Sequence, residues 1–292
     1  MAFCDFTLHR PDSVEDACRL GLEHGRRAAY MSGGTELLVD LRSGRKTVEH
    51  VIALGGLSEL REIRSDGGGL HIGALATLSE IAESPLVLEC FPALADAIVT
   101  MAGVQIRNLA TMGGNFSCGV PCSDTPPITC AAGGSIMITG PDGVREIDAR
   151  GFVLAPRTTV VNPGEIVTAI RIPTQPTTSG AGFQRFTMRK GSALAVASVS
   201  AWLNIEQGVM TEARIVMGAV GPIPLFAERA AAALTGQAPD DTLFAEAGSI
   251  AAEEAQPISD LRGSDQYRRD VVAVLTRRAL ASAAERAEGR TR

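Results

Sequence analysis

Ala28-Ala29-Tyr30-Met31-Ser32-Gly33-Gly34-Thr35-Glu36-Leu37-Leu38-Val39-Asp40-Leu41-Arg42-Ser43-Gly44 is the stretch on which the reading of this 292-residue chain turns. Residues 28–32 form a short apolar run, which predicts a strand. The paired glycines then predict a tight turn. Across residues 35–42, Leu37, Leu38 and Leu41 stand at helical spacing, and Gly44 closes the segment as a C-terminal cap. The unit is strand, glycine turn, helix. Glycine admits positive φ and lets a ligand come close to backbone N–H groups. A helix that starts just after such a turn offers unpaired N–H groups and the positive end of its dipole, which suits a pyrophosphate. Ser32 and Thr35 would add hydroxyls.

A second pair occurs in Thr111-Met112-Gly113-Gly114-Asn115. It follows residues 105–110 and reads as another glycine turn, with Thr111 and Asn115 as side-chain partners. A Gly-Gly pair can also be only a turn. Two of them behind strand-like runs are the feature that asks for a ligand, and a shared ligand requires Gly33 and Gly113 to meet at one cleft.

Working outward, Ser13-Val14-Glu15-Asp16 resembles a capping box opening a helix that Gly25 stops. Residues 51–54 predict a strand. Residues 60–64 and 70–73 flank a hairpin turn, and residues 136–139 and 144–147 flank another at Pro141-Asp142-Gly143. Thr77-Leu78-Ser79-Glu80 starts a helix that ends before Pro85. Residues 91–102 put Leu94, Ala97, Ile98 and Met101 on one helical face. Residues 173–180 are the one clear linker. Beyond it, residues 195–205 and 213–219 form a two-strand pattern around Glu206-Gln207-Gly208. Three helical stretches run to the end, with 225–234 and 271–284 the clearest. Strands followed by helices predict an α+β domain.

The bulk composition excludes several classes. Hydrophobic residues are 45% and charged residues 21%, so the chain can bury a core without covalent staples. A net charge of −6 with no dense Lys/Arg block argues against nucleic acid. Arg268, Arg269, Arg277, Arg278, Arg286 and Arg290 are interleaved with acids and read as a solvated helix face. No apolar run reaches the ~20 residues of a membrane span, and Met1-Ala2-Phe3-Cys4-Asp5-Phe6 lacks the basic and apolar regions of a signal peptide. A cytoplasmic protein is expected, with its six cysteines as thiols. Neither a G-x-x-x-x-G-K-[ST] loop nor a G-x-G-x-x-G opening a helix is present, so a P-loop and a Rossmann site are not supported.

Three segments carry a family resemblance: Ser32-Gly33-Gly34-Thr35-Glu36; Leu70-His71-Ile72-Gly73-Ala74-Leu75-Ala76-Thr77-Leu78-Ser79-Glu80-Ile81; and Gln105-Ile106-Arg107-Asn108-Leu109-Ala110-Thr111-Met112-Gly113-Gly114-Asn115. They resemble the FAD domain of the xanthine dehydrogenase family. In layout the chain is similar to the separate medium subunits of carbon monoxide dehydrogenase and of bacterial N-heterocycle hydroxylases. Phe183-Gln184-Arg185-Phe186 and Met217-Gly218-Ala219-Val220-Gly221-Pro222-Ile223-Pro224 resemble that family's trailing flavoprotein domain. The resemblance covers nearly the whole chain, in order and without a large insertion.

The resemblance implies an α+β fold. A two-lobed FAD-binding domain of the PCMH type would span residues 1–174, with lobes at about 1–54 and 55–174, and a C-terminal domain of strands then helices would span 181–292. It implies an oxidoreductase subunit that binds FAD, with molybdopterin and [2Fe–2S] clusters held only by a large and a small partner subunit, the whole a dimer of heterotrimers. Electrons would pass from the clusters through FAD to an external acceptor, and this chain needs no catalytic base of its own. By position, Tyr30, Met31, Ser32, Gly33, Gly34, Thr35 and Glu36 would hold the pyrophosphate and adenosine side. Ala110, Thr111, Gly113, Gly114 and Asn115 would hold the pyrophosphate from the other side. Met101 and Ala102 would sit near the flavin or its chain, Asp124 at the ribityl region, and Ile166 or Val167 beside the isoalloxazine. Arg185 stands where relatives have Lys; a planar fork is not a point charge, and a cation near the ring's N1–C2=O edge would raise its potential.

Other groups draw no metal. Cys118, Cys122 and Cys130 have a spacing of x3 then x7, which is no iron–sulfur pattern, and a fourth ligand would have to be Cys4, Cys18 or Cys90. They read as packed thiols. His9, His24, His50 and His71 are too scattered along the sequence to suggest a metal set; His24 ends a helix, where it suits the dipole. No histidine lies in either glycine turn, so non-covalent FAD is expected. Trp202 reads as strand core. The rival readings are a stand-alone flavin oxidoreductase and a non-catalytic assembly module without FAD.

Overall fold

The computed structural model describes residues 5–289. The expectations resting on residues 1–4, on Cys4 and on Arg290 therefore lie outside the described residues.

Three layers of sheet follow one another along the chain. Strands β1 (Thr7–His9), β2 (Ala28–Met31) and β3 (His50–Ala53) form a parallel sheet in the order β1-β3-β2. Helix α1 (Val14–His24) connects the first two. Ser13 Oγ accepts from the Asp16 amide, and Gly25 at φ 52° ends the helix. Helix α2 (Leu37–Ser43) follows β2 and closes on Gly44 in the left-handed region.

The second sheet is antiparallel. It uses β4 (Ile63–Asp66), β5 (Gly69–Gly73), β6 (Ser135–Gly140) and β7 (Gly143–Asp148). A small hairpin of β8 (Val153–Ala155) and β9 (Thr158–Thr159) precedes its last strand, β10 (Ile166–Pro173). The order is β4-β5-β10-β6-β7. Six short helices lie between β5 and β6: α3 (Leu78–Glu83), α4 (Pro85–Cys90), α5 (Pro92–Val99), α6 (Val104–Arg107), α7 (Met112–Ser117) and α8 (Thr125–Ala131). Thr77 and Glu80 make a complete capping box for α3. Leu94, Ala97 and Ile98 of α5 are fully buried, as the helical spacing required.

The third sheet runs β11 (Ser179–Phe186), β12 (Ala197–Glu206), β13 (Val209–Gly218), β14 (Leu225–Phe226), all antiparallel. Helices α9 (Glu228–Leu234), α10 (Asp241–Glu254) and α11 (Asp265–Ala287) cover one face. Strand β12 is buried along nine of its ten residues because both faces are used. Ala197, Val199, Ala201, Leu203 and Ile205 pack with the helices. On the other face Trp202, with Ala181 and Phe183 of β11, joins the core that contains α5 and α8. Period-two alternation thus feeds two cores from one strand. Helix α11 lies almost on the backbone of β11. A Cβ at Gly180 would stand 2.1 Å from Ala283 O, and one at Gly182 would stand 2.3 Å from Ala279 O.

Several local expectations are corrected. The linker shrinks to residues 174–178, because Ser179 and Gly180 already pair with β12. Leu225 and Phe226 are strand, and α9 begins only at Glu228. The arginines of α11 are not one solvated face. Arg268 is 3% exposed and donates to Val196 O, Ala219 O and Asp260. Arg286 donates to Ala181 O and Asp96. Tertiary partners placed against the helix overrode the interleaved charge pattern, which is a local signal only.

Candidate functional site

A cleft of about 1320 Å³ runs between the first sheet, the second sheet and the start of β12's approach loop. Its volume exceeds that of ordinary small-molecule pockets, roughly 300–1,000 Å³. Every residue expected to hold the cofactor lines it: residues 30–36, Met101, Ala102, Ala110, Thr111, Gly113, Gly114, Asn115, Asp124, Ile166, Val167 and Arg185.

The two glycine segments touch. A Cβ on Gly33 would fall 1.7 Å from Leu109 O, so the turn lies directly on the chain leading to Thr111. Thr111 Oγ1 donates to Ser32 Oγ at 3.2 Å, tying the segments side chain to side chain. Gly34 takes φ 72°, the left-handed region that glycine enters freely. Among the described residues, the amides of Gly33, Gly34 and Thr35 have no protein acceptor and are free for a ligand.

The second glycine pair differs from its sequence reading. It is not a turn after a strand: it forms the first turn of α7, and the preceding residues form α6. Thr111 caps α7 by accepting from the Gly114 amide at 3.1 Å, while Gly113 N donates to Ala74 O and Met112 N to Ala76 O. These amides are already satisfied. The glycines are needed for closeness: a Cβ at Gly113 would meet Ala74 O at 2.7 Å, and one at Gly114 would meet Ser32 Oγ at 2.8 Å. Asn115 Oδ1 accepts from Thr125 N and Oγ1, which turns its NH₂ group loose.

Asp124 and Arg185, read separately from the sequence, form one buried pair. Arg185 Nε lies 3.1 Å from Asp124 Oδ2, with the side chains 5% and 3% exposed. The guanidinium also donates to Thr100 O and to Ala193 O. It therefore ties the Met101 bend, the 192–194 segment and Asp124 together. Asp124 Oδ1 is buried without a partner. Burial pushes this carboxyl up to about 7, and the cation beside it pulls back only partly.

The remaining predicted residues form walls. Tyr30 turns its hydroxyl away to Ala17 O, seated in space that only Gly21 leaves open. Ile166 and Val167 open β10 beside an irregularity in its pairing with β6. Ala102 sits at φ 46° and its carbonyl accepts from Ser192 N, itself at φ 45°. Two non-glycine residues held in this costly region face one cleft. Glu36 and Asp40 are both bound by Arg157, at 2.7 Å each, and Arg45 adds a second cation to Asp40. No local signal marks Arg157 or residues 192–194, which reach the cleft only through long-range packing.

The comparisons with known proteins agree with one another. The model of the FAD binding domain in molybdopterin dehydrogenase matches residues 4–175, and that of the CO dehydrogenase flavoprotein C-terminal domain matches residues 183–283. The chain belongs to the molybdopterin dehydrogenase flavoprotein family. It is 33% identical to the carbon monoxide dehydrogenase medium chain of Afipia carboxidovorans, over 97% of this chain and 98% of that one. It is 29% identical to a putative xanthine dehydrogenase FAD-binding subunit of Escherichia coli, over 97% and 98%. A chain of carbon monoxide dehydrogenase from Hydrogenophaga pseudoflava superposes with a TM-score of 0.95 at 31% identity, covering 98% of this chain and 99% of that one.

As a molybdopterin dehydrogenase flavoprotein, the chain is an oxidoreductase subunit with an FAD-binding domain followed by an α+β flavoprotein domain. The residues present suit the cofactor: three free amides, a glycine-lined approach and a buried carboxylate oxygen without a partner. No helix among the described residues is long and apolar enough to cross a membrane.

Trp202 lies outside the cleft, 2% exposed, donating to Gln175 Oε1 with Arg214 stacked on its ring. Cys118 and Cys122 line the cleft, whereas Cys130 is buried in the core, so the three do not gather. The histidines require a correction. His9, His24 and His50, distant in sequence, converge in the first sheet with ligand atoms all within 4.8 Å of one another. Parallel pairing of β1 on β3 places His9 two residues beyond the partner of His50, on the same face, and α1 ends beside them.

Proposed function

We propose that this chain is the flavin relay of a three-component molybdenum hydroxylase, and the observation that carries the reading is the meeting of free glycine-turn amides and the unpartnered Asp124 Oδ1 in one cleft. Bound FAD supplies a carrier that exchanges electrons singly or in pairs. The amides of Gly33, Gly34 and Thr35 hold its diphosphate, with Ser32, Thr111 and the Asn115 NH₂ group on the opposite side. Tyr30, Met31 and Glu36 border the adenosine. Ala110, Gly113 and Gly114 bring the second wall close. Asp124 accepts from a ribityl hydroxyl. Met101, Ala102, Ile166 and Val167 pack on the ring system and exclude water. Arg185 fixes that wall and lends positive charge near the ring, which raises the potential.

The cofactor is held without a covalent bond, by residues 1–174 as the binding domain with residues 181–292 closing one side. A small [2Fe–2S] subunit delivers electrons released when a large molybdopterin subunit oxidises the organic substrate, and an external acceptor removes them. The assembly is a dimer of heterotrimers in the cytoplasm. The medium-chain relatives support this composition. So does the apolar rim: Ile106 and Leu194 stand exposed where the cleft opens.

A visible spectrum of the purified chain should show flavin bands, released as free FAD by mild denaturation. The untagged complex should carry molybdenum and iron. A colourless folded chain would overturn the cofactor reading, and a flavoprotein free of both metals in its native complex would favour an enzyme working alone.

A further inference from the structure

We propose that His9, His24 and His50 form a structural site for a divalent transition-metal ion such as Zn²⁺. The three side chains come from β1, the C-terminal end of α1 and β3, so their meeting is a product of the fold. His9 Nε2 and His50 Nδ1 are 3.0 Å apart, and the three ligand atoms lie within 4.8 Å of one another. Nitrogens on a tetrahedral zinc ion are about 3.3 Å apart, from Zn–N distances near 2.0–2.1 Å. The closest pair is already at ligand spacing. His24 is stacked on His50, with centroids 3.8 Å apart and planes 15° from parallel. Lone pairs of stacked rings point side by side, so His24 turns about its side-chain torsions to aim at the shared point. All three are half-buried, which leaves an entry path and one open position for water.

Three neutral imidazoles select borderline ions such as Zn²⁺, Ni²⁺ or Cu²⁺ over Mg²⁺ or Ca²⁺. A bound ion would cross-link an outer strand, β1, and the central strand, β3, of the first sheet to the helix between β1 and β2. None of the three histidines lines the cofactor cleft, so the site stands apart from the flavin reading.

The test is calorimetric titration of the chelator-dialysed full chain with Zn²⁺ alone. One equivalent should bind, and thermal unfolding should shift upward. His9→Gln, His24→Gln and His50→Gln should each weaken binding by about tenfold or more while leaving the flavin content and the circular dichroism unchanged. Co²⁺ in place of Zn²⁺ should give visible bands without thiolate charge transfer. Absence of a saturable equivalent, unchanged affinity in the triple variant, or thiolate bands pointing to Cys118 or Cys122 would each overturn the site.

Discussion

Arg185 and Asp124 stand on opposite sides of the linker in sequence and 3.1 Å apart in the fold. The pair fastens the last domain to the cleft wall. Its guanidinium reaches three segments at once, which the single ammonium of a lysine could not do. Arg185→Lys should therefore retain charge yet lose part of the clamp. Arg185→Met should destabilise the chain by about 3 kcal/mol, the scale for breaking a buried pair. Chemical denaturation of the cofactor-free protein would measure both, and equal stability of all three forms would remove the clamp from the account.

The same pair sets a pH dependence. With the Asp124 carboxyl raised to about 7, the folded chain holds a proton that the unfolded chain releases near pH 4. Folding stability from this group is then full below pH 4 and falls as pH rises toward 7. The loss is on the order of a few kcal/mol. Asp124→Asn should flatten that slope. Melting temperature against pH for the cofactor-free chain decides it: parallel curves for the two proteins would contradict the burial argument.

The two neighbouring glycines of α7 should fail differently. Gly114→Ala pushes on two hydroxyls, Ser32 and Thr111, which can move. The protein should fold and lose flavin affinity by about tenfold, roughly one hydrogen bond's worth. Gly113→Ala presses on the Ala74 backbone and should cost about 1–3 kcal/mol of stability as well. Gly114→Val should strip the flavin altogether. Flavin content and unfolding midpoints, measured together, separate these cases.

Arg157 spans the cleft mouth from the β8–β9 hairpin to Glu36 and Asp40. The side chain is half exposed, so Arg157→Ala should cost under about 1 kcal/mol of stability. Its effect should appear in rate: flavin should leave several-fold faster, seen as recovered flavin fluorescence after dilution. An unchanged release rate would make the contact ornamental.

Much of this was legible in the chain. Gly33-Gly34 after an apolar run, Thr77 with Glu80, and Gly44 as a helix stop are local signals, and local physics honours them. What escaped the sequence depends on distant segments. Gly113-Gly114 looks like Gly33-Gly34 in isolation; only the carbonyls of Ala74 and Ala76 decide that its amides are consumed within the protein. The Arg185–Asp124 pair and the three histidines depend on which strands lie side by side, which residue periodicity does not encode.

The interleaving of Gly180 and Gly182 with α11 has a consequence for synthesis on the ribosome. The strand carrying Arg185 can settle only when the final helix has emerged to lie on it. Until then the wall beside Asp124 is missing, although both glycine segments have already left the exit tunnel. Cofactor loading must therefore wait until that helix has emerged, and a chain terminated before it would leave the ribosome colourless.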